Sequence, residues 1–380
     1  MYNSNASYEE NYKNGPDKNF LKDKHFPKIQ YLNYPKYEFL GIPFHIPFGV
    51  AAGPLLNTEY VKVALNAGFC MPVYKTVRSA YWECNKWPNI LSIKADKKSL
   101  FADESNNVIG EVFNKDDYNN KNISISNSFG VPSQSVSKWQ EDFDSLSEYS
   151  QKNGYHVSLS FQGSRHENST LKETRDYFFK DILNISELSY KCINLSGFSI
   201  LELNLSCPNE AHAPLYKDIP SALATIQHVH QILSTQKAKV KLVVKVGVLN
   251  QEEIKIFLAE SAGKIDAISA INTISANITQ KNGYPALGSG ALSGGVCGSL
   301  IFEQGKKMVS LISETREKLG ITKKELGIIG VGGVVSQKEF DSYLSCGADM
   351  VHAATGMMWN LELASEIATF LRVPFQKLEK

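Results

Sequence analysis

The stretch Asn204 to Asn209, NLSCPN, sets one thiol, Cys207, between an apolar strand-like run and a proline, with a carboxamide at either end. Proline takes the chain out of regular structure, so the thiol falls on a loop rather than in packed hydrocarbon. A loop thiol, with an ordinary pKa of about 8.5, accepts a proton when its surroundings favour the thiolate. The plain alternative is an inert core cysteine, a common fate of an unpaired thiol. Asn127, Asn204, Asn209 and Asn272 add carboxamides, whose paired donors and acceptors suit a planar amide or carboxylate ligand.

Two lysines and a set of glycines extend the pattern. Lys245 closes the apolar run VKLVVKV (240–246), where an ammonium is costly to bury unless an anion compensates it. A bound anionic cofactor would do so; a lysine leaning outward, or paired with a core carboxylate, is the competing reading. Lys75, at the end of MPVYKT (71–76), poses the same choice. GVGGV (330–334) and Ala354-Thr355-Gly356 suggest a phosphate cup, because glycines let backbone N–H groups approach an anion closely. Glycines that merely end strands are the alternative. His212 lies near the thiol in sequence, His352 reads as a packing residue, and Cys297 and Cys346 read as structural.

These groups need strands that end together. Short runs rich in Val, Ile and Leu recur at 46–51, 71–76, 156–161, 199–205, 240–246, 266–272, 327–331 and 349–355. Most are apolar throughout, the pattern of strands covered on both faces by helices and therefore parallel. Helical periodicity falls between them at about 58–67, 135–152, 174–192, 219–235, 251–263, 300–319, 336–345 and 360–371. Eight strands, each followed by a helix, predict an α/β fold, a (β/α)8 TIM barrel, whose chemistry sits at the C-terminal strand ends. A doubly wound open sheet is the runner-up, but GVAAGPLLN matches its glycine fingerprint poorly. Residues 1–25 read as a polar, loosely ordered N-terminal arm outside the core, and 26–380 as a single barrel domain. A long insertion after the second strand, about 80–134, reads as a partly exposed excursion, and 273–299, rich in Gly, Ser and Asn, as an active-site loop.

Bulk composition narrows the partners. Forty basic against thirty-nine acidic residues give a net charge of +1 with no dense basic run, which disfavours nucleic acid and anionic membrane surfaces. No segment reaches the roughly 18 apolar residues of a membrane helix, and no signal-peptide pattern opens the chain, so a cytoplasmic protein with a small-molecule partner is expected. The six cysteines show no CxxC pair, which argues against a zinc site, an iron–sulfur site or a disulfide framework.

Taken in order, AAG (51–53), YKT (74–76), NSFGVPS (127–133), NLSCPN (204–209), VKV (244–246), INT (271–273), GALSGG (290–295), GVGG (330–333) and AATG (353–356) resemble the dihydroorotate dehydrogenase family, FMN-dependent barrel enzymes of pyrimidine synthesis. The resemblance implies that Cys207 is the base removing the C5 proton of dihydroorotate while hydride passes from C6 to N5 of FMN. It implies that Lys75, Asn127, Ser128, Phe129, Gly130, Val131, Asn204, Asn209, Asn272 and Thr273 surround the substrate. Ala52, Lys75, Thr76, Asn127, Asn204, Lys245, Ile271, Gly294, Gly332, Gly333, Ala354 and Thr355 would hold FMN, with no metal. A cysteine base resembles the soluble class 1 enzymes, with fumarate, or NAD through a partner subunit, as electron acceptor and a homodimer as the assembly. Ser133 departs from the asparagine often found there, leaving another dihydropyrimidine as an alternative substrate. A lysine Schiff-base aldolase and a non-catalytic flavin-binding paralogue are the competing functions.

Overall fold

The computed structural model describes residues 1–17, 28–114, 116–117, 120, 122–164, 171–205 and 215–378. Eight short strands run parallel: β1 (Phe48–Val50), β2 (Val73–Val77), β3 (Ser158–Phe161), β4 (Ile200–Asn204), β5 (Lys241–Val246), β6 (Ala267–Ala270), β7 (Gly327–Val331) and β8 (Met350–Ala353). Each pairs with its sequence neighbour, and β8 returns to β1. The circle is completed where Val50 bridges Pro72 and the Cys70 amide donates to the Phe48 carbonyl at 2.9 Å. Eight helices alternate with them: α1 (Thr58–Asn66), α2 (Val136–Asn153), α3 (Leu171–Leu195), α4 (Ile219–Ser234), α5 (Gln251–Ser261), α6 (Phe302–Lys318), α7 (Gln337–Ser345) and α8 (Leu363–Phe370). The protein is a (β/α)8 barrel, and both faces of its strands are buried, which is why they read as continuous apolar runs.

Register decides which side chains meet. Asn204 on β4 lies beside Lys245 on β5, and Lys245 beside Ser269 on β6. Because strand side chains alternate, Glu202, Ser269 and His352 lie on the same faces as Asn204, Ile271 and Ala354, two residues nearer the strand starts. A polar layer therefore underlies the barrel mouth.

The two long connections fold together. Ser92–Lys94, Asn107–Glu111 and Ser124–Asn127 from the first join Ile274–Thr279 and Ser293–Gly298 from the second in a closed five-stranded barrel that caps the larger one. The expected active-site loop at 273–299 is thus an antiparallel hairpin. Its glycines misled because they look like loop residues but serve close packing: a Cβ on Gly294 would stand 2.7 Å from Leu287 Cδ1, one on Gly295 2.3 Å from Thr273 Oγ1, and one on Gly298 2.3 Å from the Ile123 carbonyl.

The N-terminal arm also needs correction. Within its described part, Met1, Tyr2 and Tyr8 are buried in the core, and Tyr8–Asn14 is a helix closed by a reciprocal Ser7–Glu10 capping box. The polar composition conceals tyrosines spaced to face one way. Asn57 Nδ2 donates to the Tyr12 carbonyl at 2.9 Å, and Tyr60 Oη to the Asn11 and Gly15 carbonyls at 3.2 and 3.1 Å, fastening the arm to α1.

Candidate functional site

The C-terminal ends of the strands and the underside of the cap enclose about 1150 Å³ of space, part of it open to solvent. Lys75 and Thr76 from β2, Asn204 from β4, Lys245 from β5, Ile271, Asn272 and Thr273 after β6, Gly332 and Gly333 after β7, and Ala354 and Thr355 at the end of β8 all line it. Ala52 lines it beyond β1, and Asn127, Phe129 and Val131 reach it from the cap.

Three of the expected residues are elsewhere. Ser128 is buried against Asn89, which receives its amide at 3.1 Å, and Gly130 packs beside Asn85, with φ at +74°. Gly294 packs inside the cap. Cys207, Asn209 and His212 lie outside the described residues.

The polar groups at the rim are tied down. Lys75 Nζ donates to the Pro132 carbonyl at 3.3 Å, and Asn204 Nδ2 to Gln162 Oε1 at 2.7 Å. Lys245 is buried, with no hydrogen bond or ion pair to a described residue, and its charge acts on two groups beneath it. Burial raises the Glu202 carboxyl above its ordinary range, and Lys245 and Ser160 partly oppose that rise; one of its oxygens, Oε1, has no partner. Burial, with the Lys245 charge, pushes His352 down to about 3, and neither of its ring nitrogens has a partner. An ammonium in such a position is costly to bury unless an anion compensates it.

His352 gives a prediction. Its folded pKa lies below the unfolded value of about 6.5, so between pH 6.5 and 3 the unfolded chain binds a proton that the folded one refuses, and stability falls on acidification through that window. This one group contributes a slope of about 1.4 kcal/mol per pH unit, and urea unfolding of His352→Gln across the window is expected to show that slope removed.

The sequence reading passed over several residues. Arg78 is buried and forks into the loop that carries Asn127: Nε donates to the Val131 carbonyl at 3.0 Å, Nη2 to the Gly130 carbonyl at 3.4 Å, and Nη1 to the Gly163 carbonyl at 3.3 Å and Ser164 Oγ at 3.2 Å. The Trp82 ring lies 4.4 Å from the guanidinium. The signal was available: an arginine at the end of a buried strand must find acceptors. Ser133, the departure noted in the sequence, accepts the Arg78 amide at 3.0 Å and so belongs to this latch. Cys297, read as structural, lines the cavity; burial raises its thiol to about 11, and it donates to the Ile125 carbonyl at 3.6 Å. Tyr2, from the arm, lines it too. Among the described residues no group of His, Cys, Asp and Glu could hold a metal ion, and no helix is long and apolar enough to cross a membrane.

Comparison with known proteins places this geometry. The family model for dihydroorotate dehydrogenase matches residues 35–372. The chain is 31% identical over 379 residues, 96% of its length and 95% of the relative's, to a dihydroorotate dehydrogenase of Dictyostelium discoideum. Shorter matches include a dihydroorotate dehydrogenase A (fumarate) of Limosilactobacillus reuteri, 29% identical over 42% of this chain and 48% of that one. A dihydroorotate dehydrogenase B (NAD(+)) catalytic subunit of Desulforudis audaxviator is 25% identical over 49% of this chain and 57% of that one.

Proposed function

Because this chain belongs to the dihydroorotate dehydrogenase family, and is thereby an oxidoreductase acting on a CH–CH group, we propose that it holds FMN in this cavity and oxidises dihydroorotate to orotate. The observation that carries the reading is the buried Lys245 ammonium facing a cavity rimmed by Lys75, Asn127, Asn204 and Asn272.

The residues fit the cofactor in three ways. Gly333 adopts φ +72° where a Cβ would come within 2.6 Å of Phe302 Cβ, so the turn that would cradle the phosphate tolerates only glycine. Gly332, Ala354 and Thr355 complete that cradle. Lys245 supplies positive charge at the cavity floor, and Thr273 Oγ1 is buried without a partner, a polar atom that a ligand would satisfy. FMN bound there supplies the acceptor for the substrate's C6 hydride.

The remaining steps belong to side chains. Asn127, Asn204 and Asn272 orient the pyrimidine ring and its carboxylate, and Lys75 balances the negative charge. Cys207, three residues beyond the cavity-lining Asn204 and so within roughly 11 Å of backbone reach, takes the C5 proton. The same carboxamides suit a planar dicarboxylate, which supports fumarate as the electron acceptor. We further assign residues 26–380 to one domain, with the excursion at about 80–134 as part of its cap.

Purified protein tests the reading. It should carry flavin absorption, bleach anaerobically on addition of dihydroorotate, and turn over faster with fumarate than with NAD or a quinone; protein that carries flavin but does not bleach overturns the assigned reaction. Arg78→Ala should raise the KM for dihydroorotate by at least about 10-fold with flavin content retained, since the Val131 and Gly130 carbonyls lose their donor. Arg78→Lys should not restore it, because an ammonium cannot reproduce the fork.

A further inference from the structure

Two tyrosines from outside the barrel bear on the end of the cavity where the substrate is proposed to bind, Tyr2 by lining it and Tyr8 by packing on the cavity-lining Phe129 and Lys75. Tyr2 lines the cavity and meets the Phe129 ring edge-on, with centroids 6.1 Å apart and planes at 86°. Tyr8 meets the same ring at 6.3 Å and 64°, and its own face lies 5.7 Å from Lys75 Nζ. Phe129 is thus gripped by both tyrosines, and Lys75 is held between the Pro132 carbonyl and an aromatic face.

The arm that carries these rings is built to stay in place. Asn11 is buried and folds the arm on itself, its Nδ2 donating to the carbonyls of Asn3, Ala6 and Ser7 at 2.9, 3.2 and 2.9 Å while its Oδ1 accepts the Asn3 amide at 2.9 Å. The Asp17 amide donates to the Met1 carbonyl at 2.8 Å, and Trp87 Nε1 to the Ser4 carbonyl at 3.4 Å, which joins the arm to the connection leading into the cap. Together with the bonds from Asn57 and Tyr60, these span the gap between α1 and that connection.

We propose that residues 1–15 are a fixed lid on the site, in which Tyr8 positions the Lys75 ammonium through its ring face and Tyr2, packed on Phe129, keeps water from the substrate end. A cation over an aromatic face is attracted to the ring, most strongly where water is excluded. Neither tyrosine touches the reacting atoms in this scheme. Both act through Lys75 and Phe129, and the inference rests on the FMN and dihydroorotate reading above.

The test uses the full chain with Tyr2→Ala, Tyr8→Leu and Tyr8→Phe, measuring flavin content, quenching of bound-flavin fluorescence by iodide, and KM and kcat for dihydroorotate. Tyr8→Leu should raise KM about 10-fold while kcat moves less than about 3-fold, and Tyr8→Phe, which keeps the ring face, should bring KM back to within about 2-fold. Tyr2→Ala should raise the iodide quenching constant several-fold at unchanged flavin content. Flavin-replete variants whose KM and quenching constant match wild type overturn the lid and leave the proposed function standing. Equal loss in Tyr8→Leu and Tyr8→Phe overturns the role of the ring face. Wild-type protein without flavin removes the parent reading, and the lid with it.

Discussion

Replacing Cys207 by alanine is expected to slow flavin reduction by dihydroorotate by about 10²–10⁴-fold near neutral pH, with flavin content unchanged. The range is the usual worth of a positioned general base. In the proposed reaction the C5–H electrons become the new double bond as hydride leaves C6, so a site without a proton acceptor would lose the assistance of a positioned base. The carboxamides Asn127, Asn204 and Asn272 cannot substitute, since a neutral amide is a poor base at any physiological pH. Cys297 cannot either: burial raises its thiol to about 11, and it donates to the Ile125 carbonyl on the neighbouring cap strand. Cys207→Ser should recover part of the rate as pH rises, because a hydroxyl is a weaker acid than a thiol and is activated only in more alkaline solution. Anaerobic rapid mixing of each variant with dihydroorotate reads the step directly. A Cys207→Ala rate within 3-fold of wild type would remove the base from the scheme.

The strands that hold this site were legible in the sequence for a specific reason. A parallel strand under two layers of helix can carry few polar side chains, so VKLVVKV and SILELNL mark themselves, and the polar residues left on them mark the mouth. Lys75 and Lys245 stood out by the cost of burying an ammonium, and Asn204 and Asn272 by their place at strand ends; all four line the cavity. What stayed hidden was set by tertiary contact. Gly294, Gly295 and Gly298 have the composition of a loop, and only the approach of Leu287, Thr273 and Ile123 explains why strands need them there. Tyr2 and Tyr8 sit in a segment polar enough to be set aside, and their burial depends on Phe129, more than a hundred residues away in the chain. Arg78 was the one signal present and unread: its neighbours on β2 are buried, yet only the folded loop at 130–131 shows which carbonyls it serves.

The second large effect is expected at Lys245. Lys245→Met keeps the length and apolar stem of the side chain and removes only its charge, so the packing of β5 against β4 and β6 is retained. In the proposed reaction, negative charge would develop on bound FMN, and the ammonium at the cavity floor would meet it without the cost of reorganising solvent. Two unit charges about 4 Å apart interact by about 4 kcal/mol at an effective dielectric constant of 20. Not all of that is differential between reactant and product, so a loss of about 10²-fold in the flavin reduction rate is expected, with a fall of about 60 mV in the two-electron midpoint potential. The groups beneath cannot replace the charge: His352 is held neutral by burial even with Lys245 gone, and Glu202, no longer opposed by the ammonium, becomes still harder to ionise. Lys245→Arg should retain part of the potential but crowd the floor, because a planar guanidinium is bulkier and needs several acceptors in fixed directions. Potentiometric titration against a reference dye separates the two causes. A Lys245→Met protein with unchanged potential and a slow rate would mean that the lysine acts by geometry, whereas a matched fall in both means that its charge is what the buried position exists to deliver.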